Sequence, residues 1–446
     1  RRADHRVARA RHATARRRQD QLSFEVQEAV APRLFPVSRL HPGESRLAVA
    51  PAVEELMRRY YLSAKTVVRE TDRLLERAIV PPRRRPSIQR VDSSFTLWNR
   101  QLSVTDAEIF KERPAEMMRI FRVALETGFP VYGHTKERIA EIVAEHGTGL
   151  VADAAAARHF LALLVDPRDD RQPSLLEEAH DLGLLAALMP EFAPVVGRVQ
   201  HDLYHVFTVD QHQLYAVALQ KRIFRGELLR EAPTATRAAC LVTEPRALML
   251  ATLLHDIGKP LGQGHAVKGS RIARAIARRL GLVAREVDRV ALLVAQHLAM
   301  SHLAQRRDLT DVKMIADFAK TVGDEETLRE LYLLTYCDTA MTAPGNLTSW
   351  KDGLLTELFT RTKTFFQRGP DLAGADRSAL VRLRRRRVAA LVGDADGGTL
   401  ARWCAGLPDR YFLACNRFAE KKNLPTLLEA YAQYRTLAKN AGEKAS

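Results

Sequence analysis

Apolar residues recur every three to four positions through long stretches rich in Ala, Leu, Arg and Glu, almost from end to end of this chain. That period lines apolar side chains along one face of an α-helix, whereas a half-buried strand alternates every second residue. The expected fold class is therefore all-α. Helical patterns are read at 1–33, 52–79, 105–128, 134–145, 151–165 and 173–188. They continue at 210–228, 244–256, 266–280, 284–299, 311–321, 324–340 and 351–367, with a last one near 424–440. Pro81-Pro82-Arg83-Arg84-Arg85-Pro86 interrupts the pattern, because proline removes a backbone donor and clashes with the preceding turn. A looser, strand-like stretch, 86–104, follows it.

Composition narrows the class. The chain has 446 residues, 46% hydrophobic and 27% charged, which is a globular balance rather than a disordered one. Four cysteines argue against a disulfide scaffold and fit a reducing compartment. No apolar run approaches the roughly 18 residues that a membrane span needs. No signal-peptide pattern opens the text either, so the chain reads as cytoplasmic, with no membrane partner. It begins Arg1-Arg2, which is read as a natural start lying elsewhere. The net charge of +16 admits nucleic acid as a partner. The Arg runs at 16–18, 83–85 and 384–387 are scattered, and no aromatic residues interleave them as a stacking platform would require. Nucleic-acid binding is therefore disfavoured, and the charge reads first as a solvated surface.

Residues 200–345 differ in kind. They hold His201, His205, His212, His255, His265, His297 and His302, half of the chain's 14 histidines, with Asp202, Asp210, Asp256 and Asp338. The sharpest phrase is Leu253-Leu254-His255-Asp256-Ile257-Gly258-Lys259, an apolar helical run that delivers adjacent His and Asp and then stops at Gly. Imidazole nitrogen and carboxylate oxygen both suit divalent ions of intermediate hardness. Neighbouring side chains on a helix diverge, so the pair needs ligands from other helices. His212, His265 in the loop after the Gly, His297 after an apolar run, and Asp338 after Leu333-Leu334-Thr335-Tyr336-Cys337 are the candidates. A carboxylate beside a core is costly unless paired or bound to metal. Lys259 either compensates phosphate charge or is an ordinary loop lysine. His5, His12, His41, His134, His146, His159 and His180 read as ordinary histidines. No zinc ribbon, Walker loop, Rossmann fingerprint or Ser-His-Asp arrangement is found.

In this order, His212, His255-Asp256 and Asp338 resemble the ligand series of the HD phosphohydrolase superfamily. The text from Gln200 to His212, His297-Leu298-Ala299-Met300-Ser301, Arg306-Arg307-Asp308-Leu309 and Trp350-Lys351 resembles the bifunctional bacterial protein-PII uridylyltransferase/uridylyl-removing family. Asp20-Gln21-Leu22-Ser23-Phe24, Met57-Arg58-Arg59-Tyr60-Tyr61 and Leu407-Pro408-Asp409-Arg410-Tyr411-Phe412 are similar to that family's flanking helical text. The resemblance covers about 1–412. It implies a helical connector region followed by an HD-type phosphohydrolase helical bundle. It places a helical region at 1–80 after a missing nucleotidyltransferase core, a connector at 81–198, the HD domain at 199–350 and a helical tail at 351–446. The family's Gly-Ser motif, its paired transferase Asp residues and its ACT domains are not found, so uridylyl transfer is not expected.

The resemblance implies removal of UMP from a uridylylated tyrosine of the nitrogen regulatory protein PII, with one or two Mn2+ or Mg2+ ions. His212, His255, Asp256 and Asp338 would hold the first ion, and Asp256, His265 and His297 a second. Asp256, Lys259 and His265 are the expected catalytic groups, with His205 and Asp210 orienting ligands or substrate. Two alternatives stand beside this: a generic HD nucleotide phosphohydrolase, and a catalytically silent protein that only binds PII.

Overall fold

One helix is buried on nearly every side. Leu331, Tyr332, Leu333, Leu334, Tyr336 and Cys337 follow almost without interruption and are all buried, so this element must run through a core rather than over it. A computed structural model of the chain describes residues 22–35, 50–78, 87–106, 108–146, 149–199 and 206–368. Expectations for 1–21, for the Arg runs and for the tail beyond 368 lie outside the described residues. The chain divides into two compact units. The first holds residues 1–309 and 313–366; the second holds 310–312 and 367–446, and is described only at 310–312 and 367–368.

Seventeen α-helices and one small sheet are found among the described residues. The order begins with α1 (Phe24–Leu34), α2 (Ala50–Ala78), β1 (Ile88–Arg90), β2 (Phe95–Trp98) and β3 (Gln101–Val104). Then come α3 (Ile109–Glu112), α4 (Glu116–Thr127), α5 (Gly133–His146), α6 (Ala154–Val165), α7 (Leu175–Asp181) and α8 (Leu184–Leu188). After a 3-10 turn at Pro190–Val195 follow α9 (Val209–Phe224), α10 (Pro233–Ala239), α11 (Arg246–Leu254), α12 (His265–Arg279) and α13 (Ala284–Gln296). The last are α14 (Ala299–Arg306), α15 (Val312–Val322), α16 (Glu325–Thr342), which is the buried helix, and α17 (Ser349–Arg368). Among the described residues, no helix is long and apolar enough to cross a membrane.

The fold is thus helical, and its one sheet falls on the stretch that reads as strand-like. It is antiparallel, in the order β1-β2-β3, with Ile88 opposite Trp98 and Phe95 opposite Val104. Asn99 and Arg100 make the two-residue β2–β3 turn with φ of 50° and 67°, the left-handed pair that a tight hairpin needs. Two expected helices are split. The 173–188 pattern breaks at Gly183, whose φ of 85° ends α7 and opens α8. The 105–128 pattern breaks around Pro114, before α4. Helices α10 and α14 were not expected, because each is under three turns and too short to show a period.

Local chemistry closes the helices that matter. Asp153 caps α6 by accepting from Ala155 N and Ala156 N, and Ser174 with Glu177 forms a capping box on α7. A continuous apolar core runs from Phe95 to Phe359, and in it α9 packs on α11 and α16, and α13 on α11 and α12. A smaller cluster joins Val26, Val30 and Ala31 of α1 to Val53, Leu56 and Met57 of α2.

Helix α9 is held by a buried ion pair. Lys221 Nζ lies 3.3 Å from Asp169 Oδ2 and donates to Leu163 O at 3.0 Å. Asp169 Oδ1 also accepts from Leu175 N at the start of α7. Burial pulls the Lys221 ammonium below its usual value despite that carboxylate. Replacing Asp169 by Ala leaves a buried charge without its partner. Urea unfolding of Asp169→Ala should show a loss of about 3–5 kcal/mol. A loss under about 1 kcal/mol would mean that water already reaches the lysine.

Candidate metal centre

Helix α11 is almost wholly buried: every residue from Ala247 to Leu254 is buried. Its C-cap is His255, whose Nδ1–H donates back to Thr252 O at 2.8 Å. The same construction recurs on α13, where the C-cap His297 donates Nδ1–H to Val294 O at 2.8 Å. His212, on the first turn of α9, donates Nδ1–H to Met341 O at 3.0 Å. With Nδ1 carrying the proton, each imidazole in its neutral form presents Nε2 as a lone pair. All three point inward to one place.

After Asp256 the chain must turn sharply to bring His265 back. Gly262 and Gly264 adopt φ of 72° and 71°, conformations open to glycine, and His265 opens α12. His265 was expected in a loop; it is the first residue of a helix. The turn is tight enough that a Cβ on Gly258 would strike His265 O and lie 2.7 Å from Gly269 N. Gly269 in turn sits against the Gly258 backbone, so the pair lets α12 lie directly on the turn.

Asp256 stands between two histidine groups. Its Oδ2 lies 3.2 Å from His255 Nε2 and 3.9 Å from His212 Nε2. Its Oδ1 lies 3.6 Å from His265 Nε2 and 3.7 Å from His297 Nε2. Asp338, from α16, sets Oδ1 at 3.1 Å from His212 Nε2 and 3.6 Å from His255 Nε2. His212 and His255 themselves approach to 3.1 Å through Nε2. His212, His255, Asp256 and His297 are buried. Lys259, Asp338 and His265 are partly exposed, at 13%, 17% and 25% of their side chains, and mark the open side.

The electrostatics follow from that crowding. Burial would lower His255, but the Asp256 and Asp338 carboxylates outweigh it and push it up to about 9. Burial would raise Asp256, yet Lys259 at 2.8 Å and His255 hold it well below the usual carboxylate range. Asp338 is likewise held low against its burial by His255 and His212. Burial and then the charge on His255 take His297 down to about 4. Burial also lowers His265. Two imidazole lone pairs 3.1 Å apart repel unless a cation sits between them, and a proton on His255 serves when nothing else does.

A divalent ion fits this donor set. His212, His255 and Asp256 form one group able to hold an ion, and Asp256, His265 and His297 a second. His265 Nε2 and His297 Nε2 are buried and make no hydrogen bond, an arrangement costly for polar atoms without a ligand. Mixed imidazole and carboxylate donors suit a divalent ion of intermediate hardness rather than a soft, thiolate-seeking one.

The structure therefore brings His212, His255, Asp256, His265, His297, Asp338 and Lys259 to one place. It does not bring Asp210 there. Asp210 is fully buried, but its carboxylate faces His180, Gly197 and Lys65. His205, with His201 and Asp202, lies outside the described residues. The backbone carbonyls of Thr252, Val294 and Met341 were not read from the sequence, and no side-chain pattern could reveal them.

Residues 201–329 match the family model described as HD domain. The chain is 34% identical to a bifunctional uridylyltransferase/uridylyl-removing enzyme of Azospirillum brasilense, over 82% of this chain and 39% of that protein. It is 34% identical to the like-named enzyme of Phenylobacterium zucineum over 90% of this chain and 43% of that one. The corresponding enzyme of Rhodospirillum rubrum is also 34% identical, over 86% of this chain and 40% of its own length. The chain thus spans about two fifths of the length of these curated relatives.

Two outcomes follow from the geometry. Gly258→Ala should displace His265, lower stability by about 1–3 kcal/mol in denaturant unfolding and weaken binding at the Asp256–His265–His297 group; unchanged values would mean that α12 can shift freely. Because the Asp256 and Asp338 carboxylates push His255 up to about 9, an ion entering at pH 7 should have to displace a proton from it. Affinity should fall about tenfold per unit as pH drops below about 9. Calorimetry in buffers of different ionisation enthalpy should report close to one proton released per ion, and a buffer-independent heat would contradict it.

Proposed function

We propose that this chain, which carries an HD domain and is homologous over most of its length to bifunctional uridylyltransferase/uridylyl-removing enzymes, is a metal-dependent phosphodiesterase that removes UMP from uridylylated tyrosine of PII. The observation that carries this is Asp256: each of its carboxylate oxygens faces a separate pair of imidazole Nε2 atoms. The cytoplasm is the compartment, and uridylylated PII the partner.

His212, His255, Asp256 Oδ2 and Asp338 would hold the first Mn2+ or Mg2+, and Asp256 Oδ1, His265 and His297 a second. Ions so held supply Lewis acidity toward phosphate oxygens and make bound water more acidic. The residues around them do the rest. Backbone carbonyls fix the tautomers of His212, His255 and His297, so ligand lone pairs need no reorganisation when substrate arrives. Lys259 places its ammonium beside Asp256 on the open side, where an incoming phosphodiester meets positive charge. His265, where it does not itself serve as a ligand, would accept the proton of the attacking water at Nε2. Water attacks phosphorus, the tyrosine phenolate leaves, and UMP is the second product.

A generic nucleotide phosphohydrolase is the second reading, because the HD domain is common ground for both. A panel of uridylylated PII and free nucleotides, assayed with Mn2+, separates them. Release of UMP from PII is expected to exceed turnover of the free nucleotides, and Asp256→Asn to reduce it by at least about a hundredfold. Faster turnover of a free nucleotide would overturn the substrate assignment. PII binding with no UMP release would make the chain a silent binder.

A further inference from the structure

One face of α2 reaches far along the chain. Glu54, Arg58, Leu62 and Lys65 follow at spacings of four, four and three, so they share a side of the helix. Glu54 Oε2 accepts from the Arg198 guanidinium at 3.2 Å, and Arg58 Nε donates to Val196 O at 3.4 Å. Leu62 lies so close to Gly197 that a Cβ there would come within 3.1 Å of it. Lys65 Nζ reaches Asp210 Oδ2 at 3.4 Å and Asp181 Oδ1 at 3.2 Å. Four consecutive positions on one helix face thus grip residues 196–198 and Asp210.

That grip is passed to α9. Val209 N–H donates to Arg198 O at 2.8 Å, and Gly197 N–H donates to Asp210 Oδ1 at 3.1 Å. His180 of α7 donates Nε2–H to Asp210 Oδ2 at 2.9 Å. Both oxygens of the buried Asp210 carboxylate are therefore committed to other elements. His212 follows two residues later, and it is the only member of the two metal-holding groups that α9 supplies. Metal ligation tolerates displacements of only about 0.2 Å, so a loosened first turn of α9 would be felt at His212 before anywhere else.

We propose that Asp210 and Lys65 are positioning residues through which α2 sets the His212 imidazole, so that loss of the α2 grip weakens ion binding at the His212–His255–Asp256–Asp338 group and spares the Asp256–His265–His297 group. This rests on the ligand assignment made above. Asp210 touches no candidate ligand, and its effect travels through the first turn of α9. The placement of a helix outside the HD domain thereby becomes a control on the affinity of one half of the metal centre.

Mn2+ titration of the full chain, followed by electron paramagnetic resonance, tests this with wild type, Lys65→Met, Lys65→Arg, Asp210→Asn and His212→Ala. Hydrogen exchange over 50–78 and 209–213 is read in parallel. Lys65→Met and Asp210→Asn should weaken the first class of sites about tenfold, leave the second unchanged and speed exchange in both segments. His212→Ala should abolish the first class alone, and Lys65→Arg should restore it. Wild-type Mn2+ affinity in both Lys65→Met and Asp210→Asn overturns the proposal, and so does equal weakening of both classes. A wild-type chain that binds no Mn2+ sinks the ligand assignment itself, and this proposal with it.

Discussion

Three imidazoles tethered by Nδ1 to backbone carbonyls impose the condition that the rest of the structure answers. Once Met341, Thr252 and Val294 accept those protons, the Nε2 lone pairs of His212, His255 and His297 converge in a buried space beside Asp256. Such a gathering repels itself and needs a cation. The two helix ends that carry His255 and His297 add their own negative carbonyl poles. The carboxylates that push His255 up to about 9, and Lys259 against Asp256, show how strongly the space favours positive charge.

The surrounding fold serves that convergence. Helix α16 crosses the core on apolar residues and offers Asp338 from its second half. Helix α11 is buried along its length and ends on His255. The Gly258–Gly269 contact lets α12 begin close enough to present His265. Helix α9 is held at one end through Asp210 and further along through Lys221, so His212 stands on an element anchored on both sides. These anchors join helices far apart in sequence, and they place long-range order where ligand geometry is least forgiving.

The donor types of the site were legible in the text because they are rare and ordered. His212, the His255-Asp256 pair, His265, His297 and Asp338 stand in a sequence that composition alone does not produce, beside apolar runs that bury them. Helices of three turns or more were also legible from their period, as was the strand-like break at 86–104. What stayed hidden depends on tertiary contact. No side-chain pattern announces that Thr252 O and Val294 O fix two tautomers, or that Gly258 needs its bare Cα to meet Gly269. Asp210 reads as a neighbour of His212, yet a helical step of two residues turns it to the opposite side, toward His180 and Lys65. His180 reads as an ordinary histidine, and it makes one hydrogen bond to that buried carboxylate. Helices α10 and α14 are too short for periodicity to register.

The convergent lone pairs are proposed to hold divalent ions. A crystal of the chain grown with Mn2+ and measured at the manganese absorption edge tests it most directly. An anomalous peak is expected bounded by His212 Nε2, His255 Nε2, Asp256 Oδ2 and Asp338 Oδ1, with any second peak on the Asp256 Oδ1, His265 and His297 side. Manganese bound only elsewhere on the protein, with His212 and His255 still in contact through Nε2, would contradict it.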